Sequence, residues 1–225
     1  MKISRNDLAA RLGLYVLTDA RAAAGRPLID LVAAALRGGA TAIQLREKSL
    51  STLAQIQLGR ELRRLTRDAG ALFIVNDRVD LALAVEADGV HLGQDDLPVD
   101  VARTILGPDA IVGGSAGNLD ELRLSLAAGV DYLGVGPMYP TASKSDAGTA
   151  IGPAGLTAIR QRTDLPIVGV GGIAGTNVPA VLAAGANGVA IISAVIGADD
   201  VEGAARRLRR TIDAELARLG RTPGG

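Results

Sequence analysis

Short aliphatic runs recur along the chain, separated by longer amphipathic stretches. They predict strands at Leu14–Leu17, Ala42–Leu45, 72–75, Gly89–Leu92, 110–113, Tyr132–Val135, Ile167–Val170 and 188–192. The runs are apolar on both alternating faces, as parallel strands covered by helices must be. The intervening stretches have helical periodicity. In Leu28–Arg37 it puts Leu28, Leu31, Val32, Ala35 and Leu36 on one stripe. Further helices are expected over 50–69, closed by Gly70, over 118–128, capped by Asn118 and Gly129, and over 176–184 and 201–219. A weak repeat supports the pattern: GGATAIQL at 38–45, AGVDYLGV at 128–135 and AGANGVAI at 184–191 each read as helix end, tight turn and buried strand, with a shorter copy at 86–92. Eight strand–helix units in 225 residues predict a (β/α)8 TIM barrel, one domain over 1–220, with 221–225 a disordered tail. A doubly wound open sheet is the alternative, but it would need fewer strands and fewer equal repeats.

A barrel of this kind carries its functional groups just after each strand, at the C-terminal rim. The unusual polar residues of the chain fall there. In QLREK at 44–48, alternation puts Gln44, Arg46 and Lys48 on the interior face. A forked guanidinium beside a point-charge ammonium suits a phosphate or diphosphate, and a structural salt bridge, with Glu47 as one partner at hand, is the alternative. Asn76 and Asp77 end the third strand, and Asp95 and Asp96 follow the fourth. Two carboxylates from neighbouring strands are the usual protein share of a Mg2+ site, and helix capping is their other reading. A long polar loop, 136–152, follows the sixth strand; Thr141, Ser143 and Lys144 offer hydroxyl and ammonium donors, and a lid is expected. Gly171 and Gly172 after the seventh strand, with Ser193 after the eighth, occupy the region where barrels often bind phosphate. Ser115 follows the fifth strand as a candidate phosphate donor. His91, the single histidine, reads as a satisfied core or rim group.

Composition narrows the chemistry. Absence of cysteine excludes disulfides, thiolate metal sites and a cysteine nucleophile. The 24 basic and 24 acidic residues cancel, so no global field favours nucleic acid or an anionic membrane, and an anion site must be local. Glycine, 29 residues, is nearly twice its usual share of about 7%, which implies many tight turns and close backbone approaches. No signal-peptide core or apolar run long enough to span a bilayer is evident, so a cytoplasmic protein is expected.

Six strings in one order resemble the thiamine phosphate synthase family: QLREK at 44–48, VND at 75–77, GVHLGQDD at 89–96, GVGPMYPT at 134–141, PIVGVGGI at 166–173 and AIIS at 190–193. The resemblance implies a TIM barrel that condenses hydroxymethylpyrimidine diphosphate with hydroxyethylthiazole phosphate, releasing pyrophosphate. It implies that Gln44, Arg46, Lys48, Asn76, Ser115 and Lys144 bind the pyrimidine diphosphate. Arg46, Lys48, Ser115 and Lys144 would assist departure of the pyrophosphate. Asp77 and Asp96 would hold Mg2+, and Thr141, Ser143, Gly172, Ile192 and Ser193 would bind the thiazole phosphate. The partners so implied are small phosphorylated molecules, with no indication of oligomeric state. Two departures stand out: Ser143 where many relatives have threonine, and Gly117 where many have histidine or threonine. A thiazole tautomerase and a non-catalytic barrel that binds a phosphate ester are the competing readings. Retention of Arg46, Lys48, Asp77, Asp96 and Lys144 favours the synthase.

Overall fold

Alternation within each strand sorts the side chains into two clusters. In the computed structural model, which describes residues 3–141 and 149–221, the strands are β1 (Leu14–Leu17), β2 (Ala42–Leu45), β3 (Leu72–Asn76), β4 (Gly89–Leu92), β5 (Ile111–Ala116), β6 (Tyr132–Val135), β7 (Ile167–Val170) and β8 (Gly188–Ile191). Leu14, Val16, Ile43, Leu45, Phe73 and Val75 belong to the larger cluster, packed with the surrounding helices. Tyr15, Leu17, Ala42, Leu72, Ile74, Ile111, Tyr132, Val168 and Ala190 form the smaller one inside the barrel. All neighbouring strands pair in parallel in chain order, and β8 closes onto β1. The TIM barrel expected from the eight strand–helix units is the observed architecture.

One covering helix follows each strand: Leu28–Arg37, Thr52–Asp68, Val79–Ala84, Val99–Leu106, Leu119–Ala128, Gly152–Arg160, Val178–Ala183 and Val201–Arg218. The caps at Asn118 and Gly129 are present. Asn118 accepts from the Asp120 and Glu121 amides, and Gly129 is left-handed at φ 76°. No helix among the described residues is long and apolar enough to cross a membrane. Arg221, three residues beyond the last helix, donates from its amide to the Leu216 carbonyl at 2.8 Å. The rest of the expected tail, 222–225, lies outside the described residues.

Two features depart from the sequence expectation. A helix at Arg5–Arg11 precedes the barrel and sends Leu8 into the interior cluster, joined there by Leu12 just beyond its end. At seven residues it is too short for periodicity to reveal, and burial of these leucines, about 1.5–3 kcal/mol each, is what holds it. Strand β5 continues to Ala116 rather than ending at 113. The expected strand stops at the first of two consecutive glycines, Gly113 and Gly114. In the barrel they are close-approach positions: a Cβ at Gly113 would lie 2.3 Å from Tyr132 Cζ, and one at Gly114 would lie 2.8 Å from Val130 Cγ1. Ser115 therefore sits within the strand.

Candidate active site

A cavity of about 1270 Å³ opens at the C-terminal end of the strands. Gln44, Arg46, Lys48, Asn76, Asp77, Asp96 and Ser115 line the arc from β2 to β5; Thr141, Gly172, Ile192 and Ser193 line the arc from β6 to β8. Every expected site residue within the described part of the chain thus faces one space. Ser143 and Lys144, and with them the middle of the expected lid, lie in 142–148, outside the described residues.

β2 ends at Leu45, so alternation turns Gln44 inward, while Arg46 and Lys48 reach the cavity from the segment just beyond the strand. Gln44 is buried and donates from Nε2 to the Tyr15 hydroxyl at 2.8 Å. Arg46 has its amide held by Thr18 Oγ1 at 2.9 Å and its guanidinium 3.5 Å from Asp19 Oδ2. The structural salt bridge of the alternative reading is thus present, with Asp19 as its partner and not Glu47, and both side chains are largely buried, 10% and 13% exposed. Asp19 is held in turn by the short helix Ala20–Ala23, whose Ala22 amide donates to its Oδ1 at 2.9 Å. Lys48 Nζ lies 3.9 Å from Asp77 Oδ2, with the lysine 61% exposed. So open a pair contributes at most about 1 kcal/mol, so stability gives little reason for it.

Glu47 is buried and does not line the cavity. Burial pushes its carboxyl above the ordinary range, opposed by hydrogen bonds from Thr18 and the Ala20 backbone, and its Oε1 has no hydrogen-bond partner. A raised folded-state pKa means that ionisation opposes folding: the group's favourable contribution is present below its unfolded pKa of about 4.3 and is lost as pH rises through the folded value. Glu47→Gln is therefore expected to raise the unfolding temperature at pH 7, with the gap over the parent closing as pH falls into the acid range. A gap independent of pH in thermal melts would contradict this.

The aspartates at the ends of β3 and β4 are not the helix caps that their positions allow. The helix after β3 is preceded by Arg78, and the helix after β4 by Pro98, neither with a side-chain cap. Asp77 adopts a left-handed backbone, φ 62°, at the turn out of β3. Asp96 Oδ2 accepts from the Gly93 amide at 2.7 Å. The pairing of Asn76 with His91 sets these two strand ends side by side. Among the described residues no group of three or more histidine or acidic side chains could hold a metal. Paired carboxylates fit a hard ion that keeps water and substrate oxygens in its shell, the mode of Mg2+, and do not fit an all-protein cage.

Position 117 bears on the second departure from the family pattern. The Gly117 amide donates to Glu121 Oε2 at 2.7 Å, and a Cβ there would stand 3.0 Å from the Gly136 carbonyl oxygen. The bare backbone leaves this side of the cavity to Glu121 and Asn118, which line it.

Sequence reasoning missed Tyr15, Tyr132 and the use made of His91. The Tyr15 and Tyr132 hydroxyls lie 3.1 Å apart inside the barrel, His91 Nδ1 is 3.1 Å from the Tyr132 hydroxyl, and His91 Nε2 is 3.0 Å from Ser115 Oγ. Burial raises the pKa of both phenols, so they stay protonated. Strand alternation applied to β1, β4 and β6 as it was to β2 would have turned all three inward.

The comparisons with known proteins agree. The family model for thiamine monophosphate synthase matches residues 14–195. The thiamine-phosphate synthase of Moorella thermoacetica is 59% identical over 199 residues, covering 88% of this chain and 95% of that protein. That of Chloroflexus aurantiacus is 53% identical over 199 residues, covering 88% and 92%. The solved structure of thiamine phosphate pyrophosphorylase from Pyrococcus furiosus superposes with a TM-score of 0.86 at 44% identity, covering 93% of this chain and 99% of that one. A 3-hexulose-6-phosphate synthase, 19% identical with a TM-score of 0.62 over 88% of this chain and 99% of its own, shares the fold alone. This chain belongs to the thiamine monophosphate synthase family.

Proposed function

We propose that the chain condenses hydroxymethylpyrimidine diphosphate with hydroxyethylthiazole phosphate to give thiamine phosphate and pyrophosphate, a transfer of the pyrimidinylmethyl group. The observation that carries the reading is the convergence of Gln44, Arg46, Lys48, Asn76, Asp77, Asp96 and Ser115 on one cavity. A tautomerase acting on the thiazole alone would have no use for that cationic and acidic arc.

In this reaction the bond from the methylene carbon to the diphosphate oxygen breaks, and a bond from the thiazole nitrogen forms. The nitrogen carries no proton, so no general base is required, and none is needed from a chain with one histidine and no cysteine. Negative charge gathers on the departing pyrophosphate. Arg46, Lys48 and the Ser115 hydroxyl, which line the cavity, would stabilise it, joined by Lys144 on the grounds of the sequence match. One such electrostatic group is worth about 10²–10³ in rate. Gln44 and Asn76 would orient the pyrimidine. Asp77 and Asp96 would hold Mg2+, which when bound supplies further charge to the leaving group. The β6–β8 arc, with Thr141, Gly172, Ile192 and Ser193 together with Ser143, would receive the thiazole phosphate and bring its nitrogen to the methylene carbon.

The test is pyrophosphate release by purified protein given Mg2+ and the pyrimidine diphosphate, with and without the thiazole phosphate. Release that depends on the thiazole phosphate is expected. Release indifferent to it, or none, would overturn the proposal.

A further inference from the structure

We propose that His91 is a positioning residue that fixes Ser115 as a hydrogen-bond donor toward the diphosphate; this rests on the function proposed above. The argument follows hydrogens through a buried chain. Gln44 Nε2 donates to the Tyr15 hydroxyl at 2.8 Å. Either phenol could donate across the 3.1 Å between Tyr15 and Tyr132, but with Tyr15 accepting from Gln44 the order that leaves no buried hydroxyl hydrogen unpaired has Tyr15 donating to the Tyr132 oxygen. Tyr132 then passes its hydrogen to His91 Nδ1, also at 3.1 Å. With Nδ1 accepting, a neutral imidazole carries its hydrogen on Nε2, which faces Ser115 Oγ at 3.0 Å. Ser115 Oγ accepts there, and its own hydrogen is left to point into the cavity that Ser115 lines. Each link polarises the next, strengthening the terminal donor.

The barrel is built around this chain. Gly113 lies between His91 and Tyr132 in the sheet register. A Cβ at Gly113 would be 2.6 Å from His91 Nδ1, and one at Gly134, the partner of Ser115, would be 2.8 Å from His91 Cε1. Two strand glycines thus vacate the space that the imidazole fills, at the cost that glycine imposes on a strand.

Because His91 is the single histidine, its long-range nitrogen–proton NMR spectrum is free of overlap. The Nε2–H tautomer is expected in the wild-type protein. His91→Leu is expected to lower kcat about tenfold with the KM for the thiazole phosphate little changed. In a Ser115→Ala background the same substitution should have no further effect. His91→Gln, whose amide nitrogen can take the place of Nε2, should recover most of the loss. A wild-type Nδ1–H tautomer would overturn the proposal, since the chain would then run the other way. So would a His91→Leu loss undiminished in Ser115→Ala, or a His91→Gln no better than His91→Leu while thermal melts show both folded. A protein that releases no pyrophosphate yet shows the Nε2–H form would sink the proposed function while supporting the direction of the chain.

Discussion

Asp77→Asn is expected to lower kcat/KM by at least roughly 10²-fold while leaving the unfolding temperature nearly unchanged. The two halves of that expectation have separate causes. Asp77 sits in the left-handed region at φ 62°, where asparagine is as well tolerated as aspartate, whereas alanine would add about 1–2 kcal/mol of backbone strain. Its ion pair with Lys48, at 3.9 Å and open to solvent, contributes little to stability. What asparagine removes is the charge facing the cavity, and with it half of the carboxylate pair assigned to Mg2+. Steady-state kinetics across a Mg2+ titration, beside a thermal melt, measure both halves. Activity close to wild type and insensitive to EDTA would dispose of the metal role.

The second large effect separates structure from chemistry at Arg46. Arg46→Met is expected to cost about 1–3 kcal/mol of stability, because it leaves Asp19 largely buried without its cation. It should also lower kcat/KM by about 10²–10³. Adding Asp19→Asn removes the stranded charge and keeps the oxygen that accepts from the Ala22 amide. The double variant should therefore regain stability but not activity. If activity returns with stability, Arg46 serves the fold alone, and its assignment to the diphosphate fails.

Both expectations draw on residues legible in the sequence. Gln44 was readable because it interrupts an aliphatic strand, and Arg46 and Lys48 because they follow directly on the end of that strand. Asp77 and Asp96 were readable because each follows such a run. Their partners were not. Whether Asp77 capped a helix or faced a lysine depended on the turn after β3, and Arg46 had Glu47 beside it in sequence but Asp19 in space.

The sequence by itself determined the barrel and the end of it at which the candidate residues gather. A strand buried on both faces must be largely aliphatic and a covering helix must show an apolar stripe, so local pattern and architecture coincide. Only the tertiary structure decided that β5 runs through Gly113 and Gly114, that Leu8 and Leu12 join the barrel interior, and that Tyr15 meets Tyr132 from 117 positions away. Those outcomes depend on register between strands far apart in the chain. Register is a property of the closed barrel, set when all the strands pair at once, and no single segment carries it.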